Sequence, residues 1–467
     1  MIPAKLEANR TSSVGRTKMN PIILDTLNAF DISIYEPIII RNLSLGEILP
    51  PKAGNLVKVV TGMRRSGKSY RLFQEMKKLN KSGVSWGRMC YFNFEDERLA
   101  PATPETGDEV LEAFEALNPG AFEEGVFLFF DELQEMNDWG KWLRRIVDTR
   151  RVTIYATGSS SKMLSSEITT AFRGRAIDFE LLPLSFSESV IFNGLDISTQ
   201  NKLAFTESER ISLQKAYQDY LKIGGFPAVQ SLSDQERIPL LQSYAQQVVS
   251  RDVVERHSLA KPRVASLFAQ KILGSNARQL SLRKSVNEFK SMGMATSRES
   301  LSNMMSYFEQ AYLTFAVKEK TYQLTESTNS MPKVYAIDPG LAIANSKAYT
   351  NDLGQRFEDA VYLELRRRYS NDRNEAITSF RTKDHGYEVD FAVGDVLFGD
   401  ALELYQVCEQ VREAKTLNRE LRALWEAMRE CRLQQSTLIV AEGEPQVYER
   451  DGLVVNQVPA WRWFLKD

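Results

Sequence analysis

The sequence predicts an α/β fold centred on a parallel sheet, with further domains behind it. Three observations carry that prediction. Short apolar runs alternate with stretches of helical spacing across residues 56–156, the order expected of parallel strands joined by crossover helices. The run at 126–130 is apolar throughout, as a strand buried on both faces requires. The run at 56–60 ends at Thr61 and Gly62, then passes through a glycine-bearing turn into helical spacing from Ser69.

Taken in chain order, residues 22–30 have helical apolar spacing and 56–60 form the first strand of the sheet. Helical spacing at 69–79 is followed by a second strand at 89–94. The segment 100–107 holds Pro101, Pro104 and Gly107 and reads as a loop ahead of a helix at 108–117. A strand at 126–130, a helix near 139–148 and a strand at 152–156 follow. From 187 to 250 the spacing is helical, broken by Gly224, Gly225, Phe226 and Pro227. Residues 283–289 make a short amphipathic helix and Gly293 a turn. Thr296 or Ser297 would cap a second helix running to about Gln310, and 312–318 reads as a strand. Helix, turn, helix, strand is a winged-helix order, which places its second helix in a DNA groove.

At 467 residues the chain is expected to hold two to three domains. Hydrophobic residues make up 43% and charged residues 26%, the balance of a soluble globular protein. A formal net charge of -2 supplies no whole-molecule attraction to nucleic acid or anionic lipid, so any such attraction is local. Residues 251–320 are the place for it, with twelve Lys and Arg against six Asp and Glu. Cys90, Cys408 and Cys431 are too few for a disulfide framework, and two histidines, His257 and His385, give metal chemistry little raw material. No apolar run approaches the ~20 residues of a membrane span, and residues 1–19 are polar and basic without the apolar stretch of a secretory signal. The expectation is a cytoplasmic protein, with 1–19 a disordered leader and no membrane partner.

The chemistry is most legible at Gly62-Met63-Arg64-Arg65-Ser66-Gly67-Lys68-Ser69, which meets every fixed position of the Walker A phosphate loop. Glycines let the backbone wrap until its N–H groups face phosphate oxygens, and the helix that follows adds its positive end. Lys68 is expected on the β and γ phosphates and the Ser69 hydroxyl on Mg²⁺. About sixty residues later Asp131 and Glu132 end the apolar strand, the placement of a Walker B pair. Asp131 would hold Mg²⁺ and Glu132 would orient and deprotonate the attacking water. The following strand ends in Thr157-Gly158-Ser159-Ser160-Ser161, where Ser159 or Thr157 would hold the water or the γ phosphate. Together these predict Mg²⁺-dependent hydrolysis of ATP.

With these residues in view, the chain resembles a prokaryotic family of AAA+ ATPases. In that family a P-loop domain precedes a C-terminal domain of unassigned function. Further resembling stretches are Phe172-Arg173-Gly174-Arg175, Leu182-Pro183-Leu184-Ser185-Phe186, Gly224-Gly225-Phe226-Pro227, Ser250-Arg251-Asp252-Val253 and Glu388-Val389-Asp390-Phe391. Gln406-Val407 and Arg419-Glu420-Leu421 complete the set, and the match runs from about Asn20 to the end. The resemblance implies a homo-oligomer, in first place a hexameric ring, in which an arginine of one subunit reaches the nucleotide of its neighbour. Arg173 or Arg175 would be that finger, with Arg144 and Arg145 competing. No arginine lies inside the turn at 224–227, where related ATPases carry a second sensor.

The resemblance divides the chain into an AAA+ core at 20–186, a helical extension at 187–250, a winged-helix region at 251–325 and a last domain at 326–467. In the winged-helix region Arg278, Arg283, Lys284, Lys290 and Arg298 would contact DNA phosphates. The last domain resembles an α/β restriction-endonuclease-like fold of the PD-(D/E)XK type. Its site would comprise Glu358 on a helix, Asp390 on a strand, then Gln406 and Cys408. Glutamine is a poor metal ligand and cysteine cannot supply the missing lysine's charge, so this domain is expected to be an inactive scaffold, with Glu388 and Glu403 the acids available to rescue it. The expected activity is a DNA-associated motor or remodeller. The alternatives are a regulatory switch acting on a protein and an active nuclease.

Overall fold

The structure is a computed structural model. It describes residues 19–158, 174–195, 205–320, 331–346, 353–369, 377–394, 403–409, 411 and 413–465.

A five-stranded sheet forms the first layer. Strands β1 (Val57–Thr61), β2 (Met89–Asn93), β3 (Val126–Asp131), β4 (Val152–Gly158) and β5 (Ala176–Glu180) lie in the order β2-β3-β4-β1-β5. All four pairings are parallel, and Asn93 sits opposite Asp131 while Thr61 sits opposite both Gly158 and Glu180. The carboxyl ends of the strands therefore share one edge. Alternate residues serve opposite faces. Val57, Val59, Leu128, Phe130, Ile154 and Ala156 pack with Trp142, while Val60, Phe127, Phe129 and Tyr155 pack with Phe73 and Met76.

Helices α1 (Pro21–Ala29), α2 (Lys68–Lys81), α3 (Pro104–Leu117), α4 (Ala121–Glu124) and α5 (Trp139–Thr149) cover these faces. The expected loop at 100–107 is shorter than the sequence suggested. Thr103 caps α3 in a capping box with Thr106, and Pro104 takes the first helical turn, where its missing N–H costs nothing. Gly107 is inside the helix because a Cβ there would lie 2.5 Å from the Trp142 ring.

Helices α6 (Phe186–Phe192), α7 (Glu207–Ile223) and α8 (Asp234–Gln247) form the extension, and α8 runs on into a π-helical segment, Val248–Glu255. Then follow α9 (Pro262–Leu273), β6 (Arg278–Gln279), α10 (Leu282–Ser291), α11 (Arg298–Gln310), β7 (Thr314–Val317) and β8 (Lys333–Ala336). Ser297 caps α11 by accepting from the Ser300 amide at 3.0 Å. The three strands make a small antiparallel sheet in the order β6-β8-β7. β8 belongs to it, so this unit runs past the expected boundary at 325. Ladder pairing with β7, rather than any composition change, decides where the unit stops.

After α12 (Pro339–Asn345) and α13 (Leu353–Arg368) comes a mixed six-stranded sheet. Its strands β9 (Ile377–Arg381), β10 (Glu388–Val393), β11 (Glu403–Cys408), β12 (Gln435–Val440), β13 (Gln446–Arg450) and β14 (Leu453–Pro459) take the order β13-β14-β12-β11-β10-β9. Helix α14 (Ala414–Cys431) packs on it, and α15 (Ala460–Trp463) closes the described chain. One apolar core runs from the extension through the small sheet to this one, joining Phe186, Tyr217, Phe308, Tyr335, Tyr362, Phe391 and Phe464. Among the described residues no helix is long and apolar enough to cross a membrane.

Candidate nucleotide site

The phosphate loop spans the end of β1 and the start of α2. Gly62 has φ +149° and a Cβ there would stand 2.3 Å from the Leu181 carbonyl oxygen, so the turn tolerates no side chain. Arg65 is left-handed, with φ +68°, and so is Glu132, with φ +47°. Such backbone is uncommon outside glycine and clusters at functional sites. Arg41 braces the loop from behind. Its guanidinium donates to the Ser66 carbonyl at 2.8 Å and the Leu182 carbonyl at 2.7 Å, and pairs with Glu188 at 3.1 Å.

Lys68 is buried, donates to the Met63 carbonyl at 3.3 Å and lies 3.5 Å from Glu132. The structure thus brings both Walker motifs to one point. Asp131 is also buried, and burial followed by the neighbouring Glu132 charge pushes its carboxyl above the usual range. Three hydroxyls offset this: those of Ser69, Thr157 and Tyr91, the last at 2.9 Å. Thr157 is the hinge of the pair. Its hydroxyl donates to Asp131 and accepts from the Glu132 amide at 3.0 Å, which fixes the strained Glu132 backbone. Gln134 donates to the Glu132 carboxylate. Ser159 and Arg173 lie outside the described residues.

The helical extension closes over this loop through two arginines. Arg64 donates to Glu95 at 2.7 Å and Glu135 at 3.2 Å, and its Nε faces Asp252 at 3.6 Å. Arg65 stacks on the Tyr244 ring at 4.3 Å and donates to Gln247 at 3.0 Å. Asp252 lies in the π-helical segment. Burial pushes its carboxyl up to about 6, against the pull of Arg64 and then Arg256. Arg251, from the same segment, comes within 3.9 Å of Glu95. The turn at 224–227 holds no arginine, but the π-helical segment brings Arg251 and Asp252 to the region of the loop. Tyr91, Arg41 and Asp252 were not singled out from sequence as site residues. Only the π segment left a trace, in Ser250-Arg251-Asp252-Val253.

The other candidates sit elsewhere. Arg175 precedes β5, and its carbonyl accepts from the Val57 amide at the amino end of β1, a full strand length from Gly62. Its side chain is half exposed and paired with Asp148. Arg145 pairs with Asp108. Arg278, Arg283, Lys284, Lys290 and Arg298 are all exposed, on β6, on α10 and at the start of α11.

At the C-terminal cluster, Glu358 and Asp390 do come together, but around a lysine the sequence did not single out. Lys333 of β8 reaches Glu388 at 2.8 Å, Glu358 at 3.0 Å and Asp390 at 3.2 Å. Tyr335 of the same strand donates to Glu358 at 2.8 Å. Burial opposes the charge of Lys333, yet Asp390, Glu358 and Glu388 hold its ammonium well above its ordinary range. Gln406 points its amide to Glu420 at 2.8 Å, and Glu403 bonds Tyr369 at 2.8 Å instead of joining the cluster. Among the described residues no group of three or more His, Cys, Asp and Glu side chains has the arrangement to hold a metal ion.

Two family models match stretches of the chain. A family model described as "AAA domain" matches residues 54–190, and one described as "Domain of unknown function (DUF8612)" matches 214–352. The "Uncharacterized protein MJ1544" of Methanocaldococcus jannaschii is 34% identical over 451 residues, covering 95% of this chain and 94% of that one. The chain belongs to the family of that protein. Its AAA domain carries the P-loop described above, and its second matched unit takes in most of the helical extension and the small sheet. An "Uncharacterized protein" of Haemophilus influenzae is 26% identical over 337 residues, 71% of this chain and 80% of that one. Among solved structures, the Walker-type ATPase of Pyrococcus abyssi is 13% identical with a TM-score of 0.40, over 62% of this chain and 90% of that one.

Proposed function

We propose that this protein hydrolyses ATP in its AAA domain and uses the cycle to act on DNA held by its small antiparallel sheet and flanking helices. The observation that carries the first part is the convergence of Lys68, Asp131 and Glu132 on one loop, with Thr157 fixing both acids. Oxygen donors suit a hard divalent cation, and the buried Asp131 carboxylate with the Ser69 hydroxyl beside it fits Mg²⁺. Those two residues would hold the ion, which would neutralise phosphate charge when bound. Loop amides and Lys68 bind the triphosphate. Glu132 then takes a proton from the water that attacks the γ phosphorus. In a purified preparation, Lys68→Ala is expected to abolish ATP turnover; hydrolysis at the wild-type rate would end this assignment.

The DNA part is supported by five exposed basic residues on a winged-helix order of elements. Phosphate contacts of this kind position a duplex without reading its sequence. Charge-neutral replacements of Arg283, Lys284, Lys290 and Arg298 should weaken duplex binding and flatten its dependence on salt. Binding to no nucleic acid would favour the regulatory switch. We read the C-terminal sheet as a scaffold, because Lys333 already fills its acidic cluster and the Gln406 amide is taken up by Glu420 and the Asp390 backbone. Arg175 is too far along the sheet to serve its own nucleotide, so a finger role for it requires a second chain.

A further inference from the structure

Arg64 is a cation held among acids it does not fully satisfy. It stands on the phosphate loop between Gly62 and Lys68, with its side chain 16% exposed. Glu95 from beyond β2 and Glu135 from beyond β3 each accept one hydrogen bond from its terminal nitrogens. Its Nε–H makes no hydrogen bond, and neither does the Asp252 oxygen that faces it at 3.6 Å. Glu132, the residue positioned to handle the attacking water, is the strongest charge acting on it. A planar guanidinium with a spare N–H, next to the group that activates water, is the donor set that a phosphoryl group in transit needs.

We propose that Arg64 supplies the transition-state guanidinium in cis: on ATP binding it exchanges Glu95 and Glu135 for the γ-phosphate oxygens, and Asp252 of the π-helical segment aims it. This inference rests on the ATPase reading and adds to it a catalytic residue and the means of its control. The water oxygen forms a bond to the γ phosphorus while the bond from that phosphorus to the bridging oxygen breaks. The water proton passes to Glu132, and ADP and inorganic phosphate leave. Arg64 bonds the equatorial oxygens, where charge spreads as the phosphoryl group flattens. Because Asp252 and the Arg65 partners Tyr244 and Gln247 belong to the helical extension, the position of that extension sets how Arg64 is presented.

The test uses the full chain with ATP and Mg²⁺, and compares wild type, Arg64→Gln, Arg64→Lys, Asp252→Asn and Lys68→Ala. Removing an in-cis guanidinium should lower kcat by ~10²-fold or more, and Arg64→Lys should not restore it, because an ammonium lacks the planar fork. ADP affinity should change less than about threefold, since the loop amides and Lys68 remain. Wild type should retain ADP with aluminium fluoride, a planar phosphoryl mimic, and Arg64→Gln should not. Asp252→Asn should change kcat more than KM. One arm needs no variant: specific activity of the wild type should stay constant on dilution to single chains. Activity that falls as chains separate, or Arg64→Gln with near wild-type kcat or full retention of the mimic, overturns the proposal. Should Arg64→Gln fail to fold, Arg64→Lys and the dilution arm decide it. Wild-type turnover in Lys68→Ala would instead remove the ATPase reading itself.

Discussion

Thr157 carries more of the site than its place at a strand end suggests. One hydroxyl serves the buried Asp131 carboxylate and the partly buried Glu132 amide. Thr157→Val keeps the shape and strands two polar groups, which should cost about 1–3 kcal/mol by denaturant midpoint. ATP turnover should fall further than nucleotide binding, because the strained Glu132 backbone loses its anchor. Asp338 gives a pH signature. Burial raises its carboxyl to about 6, although the amides of Gly225 and Leu341 donate to it. A raised carboxyl favours the protonated fold, so its contribution is complete below the ordinary value near 3.8 and is lost as pH rises through about 6. The melting temperature of wild type minus that of Asp338→Asn should therefore be larger at about pH 4 than at about pH 7.5. At this scale the meeting of the loop with the acid pair could be anticipated because the Walker pattern sets residue types at fixed spacings. Arg41, Tyr91 and Asp252 could not, since only packing brings them to Ser66, Asp131 and Arg64, which lie 25, 40 and 188 positions away in the chain.

Among the elements, β8 has the widest reach. It completes the small sheet, and it sends Lys333 and Tyr335 into the acids of α13 and β10. Lys333→Met should cost about 3–5 kcal/mol, because the buried carboxylates Glu358 and Asp390 lose their cation, while Glu388 keeps Arg381. Adding Asp390→Asn should recover part of that loss, a coupling that a double-mutant cycle measures. Hydrogen exchange should quicken in β9 to β11 and leave β1 to β4 unchanged. Helices and the parallel strands were legible from periodicity and from caps such as Ser297. The start of α3 was misread because Pro104 and Gly107 look like loop residues until their positions, first turn and Trp142 contact, are known. The strand at 333–336 was missed as a partner of β7 because pairing between strands so separated leaves no local pattern.

For the molecule as a whole, one buried ion pair ties the first sheet to the last domain. Arg366 of α13 makes two bonds of 2.8 Å to Glu180 of β5, and its guanidinium lies 4.0 Å from the centre of the Phe315 ring of β7. Two sheets and a helix meet at one side chain. Glu180→Gln should destabilise the protein by about 3–5 kcal/mol, since it leaves a buried guanidinium without its counter-charge. Calorimetry should then resolve two transitions where the wild type gives a single cooperative one. The parallel sheet could be anticipated from sequence, but its tie to the helix at 353–368 could not, because such ties are single residues far apart in the chain.

The position of Lys333 also limits how this family can be recombined. The unit matched at 214–352 carries the cation, while Glu358, Glu388 and Asp390 lie beyond it. A hybrid that grafted the terminal segment of one relative onto another at about residue 350 would inherit acids from one parent and their neutraliser from the other. Such a graft should fold only where the other parent also places a basic residue opposite them, whereas a junction upstream of β8 would transfer the charge set intact.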